Sequence, residues 1–368
     1  MSEWKKVKLG EVCEISAGGD RPQIFSNHIT DKCRIPIYSN GIDNEGLYGF
    51  TDTPKNNGNA ITITGRGANA GTVFYRKDPF LSIIRLLTLT PNSEIINAKY
   101  LFYLLKNKTF LSTGSAQPQI TVPNISQFEI EFNPDIETQH RIATILSRYD
   151  SLIENYQKQI KLLEEAAQRL YKEWFVDFHF PGHETTKIVD GVPEGWTPSQ
   201  LGQLVEFKRG KTITKKDVID GDIPVVAGGL EPAYYCNKSN TAERVITISG
   251  SGANAGFTRM YFEKVWASDC SFVDASVTPF LHFIYCYLKD NKTTIDNMQK
   301  GAAQPHVYAK DINSLSICIP IESVLKSFEG TASKYFDTIS SFQSQIHLLT
   351  EARDRLLPKL MGGEIVLS

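Results

Sequence analysis

ITITGRGANAG, at residues 61–71, returns almost unchanged as ITISGSGANAG at residues 246–256. Three weaker matches accompany this segment in the same order, which indicates a tandem duplication rather than a solenoid of short repeats. The paired segments are Trp4…Leu9-Gly10 with Trp196…Leu201-Gly202, Ile35-Pro36…Asn40-Gly41 with Ile223-Pro224…Gly228-Gly229, and Gly114-Ser115-Ala116-Gln117-Pro118 with Gly301-Ala302-Ala303-Gln304-Pro305. The sequence therefore predicts two copies of one fold.

The glycine-rich part of the repeat has the composition of a turn that cradles a phosphate or a nucleotide. A phosphate-binding turn opens a helix whose first N–H groups face the anion. Here both copies lead instead into predicted strands at residues 72–75 and 257–261, and neither has a Gly-Lys-Ser/Thr ending. We interpret the segment as a structural turn between strands. The change from Arg66 to Ser251 at its tip is typical of two related binding modules with different preferences.

Each half begins with a turn-rich part that predicts short strands and hairpins, with short helices near residues 100–106 and 283–289. Glycine then becomes rare and apolar residues follow a 4-3 spacing, which predicts a helix that buries one seam against a partner helix. A helix of about 40 residues is about 60 Å long, which suits a spacer. Arg353 alone interrupts the apolar seam. The seam residues are Ile142, Leu146, Tyr149, Ile153, Tyr156, Ile160, Leu163, Ala167, Leu170 and Trp174 in the first helix, and Phe328, Ala332, Tyr335, Ile339, Phe342, Ile346, Leu349, Leu356 and Leu360 in the second.

These patterns predict an α+β fold in which two duplicated domains alternate with two long helices, each of which buries one seam against a partner helix. The predicted segments are a first domain at residues 1–135, a helix at 136–185, a second domain at 186–320 and a helix at 321–368. Pro181 and Gly182 mark the end of the first helix, because proline and glycine stop helices.

Composition narrows the class of protein. With 41% hydrophobic and 22% charged residues among 368, the chain is typical of a soluble globular protein of two or three domains. It has no apolar run long enough for a membrane span and no secretory signal, so we expect a cytoplasmic protein. The six cysteines include no C-x-x-C pair, which predicts buried reduced thiols. Net charge is −2, with 39 basic against 41 acidic residues. The chain therefore lacks the overall excess of basic residues that indicates a nucleic-acid binder.

One local basic run stands out, with five cations in the nine residues 208–216. It has two open interpretations, a solvated loop or a set of contacts to DNA phosphates. No catalytic signature or metal site is predicted. His179 and His183 are separated by Phe-Pro-Gly, which forbids a shared helical face. Pro134-Asp135-Ile136-Glu137 lacks the lysine of a nuclease site and opens a helix, where acidic residues favour the helix dipole.

As an ordered and duplicated set, these motifs resemble the DNA-specificity (S) subunit of type I restriction-modification systems over essentially the whole chain. The helix start Pro134…Glu137-Thr138-Gln139-His140-Arg141-Ile142 and the ending Arg355-Leu356-Leu357-Pro358-Lys359-Leu360-Met361-Gly362-Gly363-Glu364-Ile365 are also typical of that family. The second helix start, at residues 320–326, lacks the Gln-His-Arg-Ile element, so contacts of that element are expected to differ there.

The resemblance implies a chain that is not an enzyme and binds no cofactor or metal itself. Its two target-recognition domains would each read one half of a bipartite, asymmetric double-stranded DNA sequence. The two long helices would separate these domains as an antiparallel coiled coil and would set the unread spacer. Two modification (M) subunits would dock on the helices and methylate adenine N6 with S-adenosylmethionine, holding the flipped base themselves. Restriction (R) subunits, which use ATP and Mg²⁺, would complete the complex.

Polar loop residues are the predicted contacts to DNA, since arginine pairs well with guanine and glutamine with adenine. We expect Arg66→Ala to alter recognition of one half-site only. The predicted residues are Tyr38, Asn40, Arg66, Gln117 and Gln119 in the first domain, and Lys208, Arg209, Lys211, Lys215, Lys216, Gln304 and His306 in the second.

Two other classes of function stay open on the sequence. The duplicated domains fit a scaffold that binds protein, against which salt-sensitive retention on DNA with an M subunit would count. The glycine turns fit, less well, an enzyme that binds S-adenosylmethionine or ATP as an isolated chain.

Overall fold

The computed structural model describes residues 4–106, 108–110, 119–301, 304–365 and 367, with the side chain of residue 217 excepted. The chain forms two compact units. Unit 1 comprises Met1–Glu154 and His347–Ser368, and unit 2 comprises Asn155–Ile346. Each unit therefore takes residues from both predicted helical segments, so the helices are integral parts of the two folded units.

The elements of the first half are short strands and helices followed by one long helix. In chain order they are β1 (Lys5–Lys8), α1 (Leu9–Val12), β2 (Cys13–Ala17), β3 (Ile35–Tyr38), β4 (Leu47–Thr51), β5 (Ala60–Ile63), β6 (Val73–Arg76), β7 (Leu81–Ser82), β8 (Leu87–Pro91), α2 (Ala98–Lys106), α3 (Val122–Ser126), β9 (Glu129–Phe132) and α4 (Ile136–Phe175).

The second half repeats this series after a small hairpin. Its elements are β10 (Ile188–Val189), β11 (Val192–Pro193), β12 (Thr197–Gln200), α5 (Leu201–Leu204), β13 (Lys208–Arg209), β14 (Ile223–Val226), β15 (Tyr234–Cys236), β16 (Val245–Ser249), β17 (Thr258–Tyr261), β18 (Trp266–Ala267), β19 (Cys270–Asp274), α6 (Leu281–Asp290), α7 (Lys292–Asn297), α8 (Ala309–Asn313), β20 (Ser316–Ile319) and α9 (Glu322–Met361).

Sheet topology confirms the predicted duplication. Unit 1 contains a four-stranded sheet in the order β2-β8-β5-β6, a three-stranded sheet β4-β3-β7 and the pair β1-β9. Unit 2 contains the same three arrangements as β13-β19-β16-β17, β15-β14-β18 and β12-β20. Even the single parallel pairing is repeated, with β3 beside β7 and β14 beside β18. The fold is α+β, as predicted.

The buried strands at the centre of each unit carry the repeated sequence. All four residues of β5 and all five of β16 are buried, which suits their β-branched composition because both faces are covered. A glycine directly follows the first strand of each four-stranded sheet, Gly18 after β2 and Gly210 after β13. A Cβ at Gly18 would lie 2.7 Å from the Ile83 nitrogen, and one at Gly210 would lie 2.3 Å from the Ser268 oxygen. Only glycine permits these close backbone crossings.

The long helices run antiparallel within each unit. In unit 1 the early residues Ile142 and Leu146 of α4 share a core with the late residues Leu357 and Leu360 of α9. In unit 2 the relation is reversed, because late residues of α4 such as Trp174 share a core with early residues of α9, including Phe328 and Ile339. The rings of Tyr156 and Phe342 lie 4.8 Å apart. Every residue predicted for the seam is buried or half-buried.

The first helix is shorter than the sequence segment assigned to it. It ends at Phe175, and residues 176–185 form turns that include a short 3-10 turn at His183–Thr185. Phe178 and Gly182 adopt left-handed backbone angles, with φ of 59° and 92°. These angles, together with Pro181, prevent continuation of the helix. In the part of the chain that the structure describes, no helix is long and apolar enough to cross a membrane.

The charge that interrupts the apolar seam has two partners in unit 1. Arg353 Nη1 donates to Asp150 Oδ1 at 2.6 Å, and its Nη2 lies 2.8 Å from Asp354 Oδ1. The hydroxyl of Tyr103 in α2 donates to the same Asp150 carboxylate. Burial, strengthened by this hydrogen bond, raises the pKa of Tyr103 far above its ordinary value, so the phenol stays protonated. The network joins α2, α4 and α9.

Arg353→Ala should lower the free energy of unfolding by about 2 kcal/mol, because the half-buried Asp150 carboxylate would lose the guanidinium that donates to it. The side chain of Arg353 is only 13% exposed. The matched control is Arg355→Ala, since that side chain is 78% exposed and pairs with Glu351 on the same helix. The control should cost less than about 0.5 kcal/mol. Urea denaturation measures both, and equal losses would contradict the structural role of Arg353.

Candidate nucleic-acid interface

The glycine turns have the same conformation in both units. In unit 1, Gly71 N donates to Thr64 O at 2.8 Å, and Ala70 N donates to Gly67 O at 3.1 Å. In unit 2, Gly256 donates to Ser249 at 2.9 Å, and Ala255 donates to Gly252 at 3.0 Å. Gly67 and Gly252 have φ of 82° and 81°, a left-handed conformation that explains why glycine recurs there. Each turn leads into a strand, β6 or β17, and does not open a helix.

A later segment of each unit packs against the start of the turn. Ile120 N donates to Gly65 O at 2.9 Å in unit 1, and Val307 N donates to Gly250 O at 3.1 Å in unit 2. One residue earlier in that segment, Gln119 forms a backbone bridge with Arg66, and His306 forms the same bridge with Ser251. Sequence analysis named three of these four bridge residues as DNA contacts, and the structure brings each pair together.

A third segment, where β8 or β19 begins, completes this arrangement. Gly18 N donates to Leu86 O at 2.9 Å, and Gly210 N donates to Cys270 O at 2.8 Å. The residues immediately before these two acceptors are Arg85 and Asp269. A Cβ at Gly65 would lie 3.2 Å from the Arg85 oxygen, and one at Gly250 would lie 3.1 Å from the Asp269 oxygen. Arg85 and Asp269 therefore occupy equivalent places.

Three residues thus lie around the turn in each unit. We call Arg66, Arg85 and Gln119 the unit 1 tip. We call Ser251, Asp269 and His306 the unit 2 tip. Arg85 and Asp269 were not predicted from the sequence, because they lie outside the repeated blocks. In unit 1, Ile84 also adds one residue to the connection that precedes Arg85. Gly18 and Gly210 occupy equivalent positions before loops that match poorly in sequence. They are the sequence signal that aligns this connection between the two units.

Two of the predicted contacts in unit 1 are engaged within the chain. Asn40 Oδ1 accepts from Gly65 N at 2.7 Å, and Asn40 Nδ2 donates to Ile84 O. The ring of Tyr38 lies under Arg76, whose guanidinium carbon is 3.6 Å from the ring centre. Burial lowers the pKa of Arg76, and the nearby Tyr38 and Glu45 groups oppose that effect. Tyr38 and Asn40 therefore support the loops around the turn, and their contact with DNA stays a prediction.

Arg66 and Gln119 remain at the tip itself. Arg66 is half-buried, and its Nε has no hydrogen-bond partner among the described residues. Gln119 is half-buried beside it and is engaged in an interaction of its own. Gln117 lies outside the described residues.

In unit 2 the predicted contacts separate into two groups. Arg209 and His306 line one small cavity together with Asp269 and Tyr308. The rings of His306 and Tyr308 are stacked, with centres 5.9 Å apart and planes 11° apart. The Ser251 hydroxyl donates to the Asp269 carboxylate at the edge of this cavity. Tyr308 was not predicted.

The other predicted cations of unit 2 lie on its surface. Lys208 is on β13, Lys211 follows it, and Lys215 and Lys216 belong to a short 3-10 turn. All four are exposed, as is Gln304. Within the described ranges, none of these lysines forms an ion pair with an acidic side chain. Their charge is thus available to solvent or to an anionic partner.

Comparison with known proteins places the chain among restriction-modification proteins. Residues 1–165 and 193–354 match the family described as "Type I restriction modification DNA specificity domain". The chain is 30% identical over 336 residues to the type I restriction enzyme MjaIX specificity subunit of Methanocaldococcus jannaschii, covering 83% of this chain and 77% of that protein. It is 24% identical over 464 residues to the HindI specificity subunit of Haemophilus influenzae, covering 99% and 100%.

A solved structure shares the fold. The crystal structure of a type I restriction-modification system S subunit from M. genitalium superposes with a TM-score of 0.65 at 19% sequence identity. The match covers 100% of this chain and 97% of that one.

Asn40→Ala should loosen the glycine turn of unit 1, because Gly65 N–H and Ile84 C=O would each lose a partner. We expect the amide hydrogens of residues 60–72 to exchange about tenfold faster or more, which corresponds to about 1.4 kcal/mol. Hydrogen exchange followed by mass spectrometry measures this directly. Asn69→Ala is the control, since that side chain is exposed at the turn. Unchanged exchange in Asn40→Ala would show that the turn does not depend on this amide.

Proposed function

We propose a function from the premise that the chain belongs to the type I restriction-modification DNA specificity family. In this proposal it is the specificity subunit that recognises a bipartite, asymmetric sequence in double-stranded DNA. Unit 1 reads one half of that sequence and unit 2 reads the other.

The observation that carries this proposal is the pairing of one scaffold with two different tips. The sheets, the glycine turns and the segments that pack on the turns are arranged alike in both units. The residues presented there differ, with Arg66 and Arg85 in unit 1 against Ser251 and Asp269 in unit 2. Two domains with the same scaffold and different residues at their tips suit a target whose two halves differ in sequence.

The charged residues of unit 2 support two separate roles, contact with phosphates and contact with bases. DNA binding draws most of its sequence-independent free energy from cations that neutralise phosphates, whereas base edges carry the sequence information. The exposed Lys208, Lys211, Lys215 and Lys216 suit phosphate contacts. Arg209 and His306, at the cavity beside the turn, suit contacts to bases.

The partner subunits supply the chemistry in this proposal. The chain itself is non-catalytic: its role is to place two modification subunits, which transfer a methyl group from S-adenosylmethionine to adenine N6. Restriction subunits, using ATP and Mg²⁺, join the same complex. The antiparallel packing of α4 and α9 inside each unit supports a role for these helices in docking the partners and in setting the unread spacer.

Co-expression with the cognate modification subunit tests the proposal, followed by single-molecule sequencing of host DNA for N6-methyladenine. We expect a two-part motif with a fixed gap. Methylation by this chain without a partner would contradict the non-catalytic role. An assembled complex that binds S-adenosylmethionine but leaves DNA unmethylated and unbound would favour a protein scaffold instead.

Replacing Lys215 and Lys216 together with alanine should weaken DNA binding equally for all sequences. Each lost phosphate contact should reduce the slope of log affinity against log salt by about 0.9, so the double variant should lose about 1.8. Fluorescence anisotropy of the assembled complex with labelled duplex measures the slope. The control replaces Lys161 and Lys326, which pair with acidic residues on α4 and α9. An unchanged slope in Lys215→Ala/Lys216→Ala would assign these lysines to a solvated loop.

A further inference from the structure

We propose that the two tips determine opposite base preferences, a proposal that rests on the function proposed above. The unit 1 tip reads a guanine through Arg66 and Arg85. The unit 2 tip reads a cytosine by accepting a hydrogen bond from its exocyclic amine on the Asp269 carboxylate. Arg85 and Asp269 are thereby specificity-determining residues at matching positions.

The equivalence of the two positions is fixed by backbone contacts. Each residue precedes the carbonyl that accepts from Gly18 or Gly210, and each places its own carbonyl against the glycine that opens the turn. The comparison is therefore between two side chains on one scaffold.

The two charged groups of the unit 1 tip are the guanidinium groups of Arg66 and Arg85, which carry hydrogen-bond donors and no acceptor. Arg85 is exposed, Arg66 is half-buried, and neither forms an ion pair within the part of the chain that the structure describes. Guanine presents two acceptors, O6 and N7, in the major groove, and arginine is their best-matched partner.

The backbone at Arg85 is held in a defined conformation. Ile84 and Arg85 both have left-handed φ angles, 52° and 58°. Residues other than glycine adopt such angles at an energetic cost. Ile84 N donates to Gly19 O at 2.7 Å, and Arg85 N donates to Gly18 O at 2.9 Å. These bonds, with Asn40 bonded to Ile84 O, fix where the Arg85 side chain leaves the unit.

The unit 2 tip offers an acceptor at the corresponding place. The Asp269 carboxylate accepts from the Ser251 hydroxyl and keeps further lone pairs for a ligand, because an ionised carboxylate has about four acceptor sites. Cytosine presents a donor, its N4 amine, in the major groove, and aspartate is a matched acceptor. A guanine at this position would set its O6 and N7 acceptors against the carboxylate. Arg209 and His306 border the same cavity and supply donors to neighbouring bases or phosphates.

Two single variants test the assignment in the assembled complex with the modification subunits. Arg85→Gln removes a charge from the unit 1 tip, and Asp269→Asn removes one from the unit 2 tip. The matched controls are Arg34→Gln in unit 1 and Glu243→Gln in unit 2, both exposed and outside the tips. The readout is the methylated motif together with methylation rates on duplexes changed at one base pair at a time.

Arg85→Gln should reduce discrimination for guanine at one position of one half-site by about 5- to 150-fold. Asp269→Asn should reduce discrimination for cytosine in the other half-site, by an amount in the same range. Arg66→Ala should affect the same half-site as Arg85→Gln. Melting temperatures of the complexes identify any variant that is merely unstable. For such a variant, Arg85→Lys or Asp269→Glu, which keep the charge, should retain the preferred base.

Several outcomes would overturn the assignment. One is an unchanged motif with unchanged single-base preferences in both variants, and another is an effect of both variants on the same half-site. A wild-type half-site without guanine at the position sensitive to Arg85 would overturn it as well. A wild-type complex that methylates no bipartite motif would contradict the proposed function itself, and that failure is visible before any variant is compared.

Discussion

Backbone hydrogen bonds between each glycine turn and a segment distant in sequence are the constraint on which the rest of the structure depends. They join Gly65 to Ile120 and Gly250 to Val307, while Gly18 and Gly210 donate to Leu86 and Cys270 where β8 and β19 begin. Because these bonds use main-chain atoms, the side chains at the tips are free to differ without disturbing the scaffold. A fold of this kind accepts new recognition residues at little cost in stability.

The duplication and its elements could be predicted from the sequence because they depend on local patterns. The recurrence of the glycine turn, the β-branched strands around it and the 4-3 spacing of the helices all depend on the composition of short windows. The packing of α4 against α9 could be predicted from the apolar seam, whereas the antiparallel direction is seen from the core residues that the two helices share in each unit. The prediction placed the helices in segments of their own, however, and the compact units instead divide each helix between them. Contacts between residues that are distant in sequence decide where each helix is divided, and no short stretch of sequence shows these contacts.

The tips were harder to predict for the same reason. Arg66 and His306 were found because they lie in or beside repeated motifs, but Arg85 and Asp269 occupy a connection whose length differs between the units. Asn40 was assigned to DNA from its loop position, whereas its amide bonds to Gly65 and Ile84. Arg353 interrupted the helix pattern without explanation until Asp150 and Tyr103 were seen beside it. Long-range partners give each of these residues its role, and sequence spacing does not reveal them.

The central claim is that each unit reads one half-site independently through the same scaffold. The most direct measurement replaces residues 197–319 with a second copy of residues 5–132, segments that begin and end at the equivalent strand pairs β12-β20 and β1-β9. The complex of this chain with the modification subunits is then used to methylate DNA, and its motif is sequenced. The account predicts a motif in which both halves carry the sequence read by unit 1. A motif that keeps the original second half would contradict it, because recognition would then lie outside the exchanged residues.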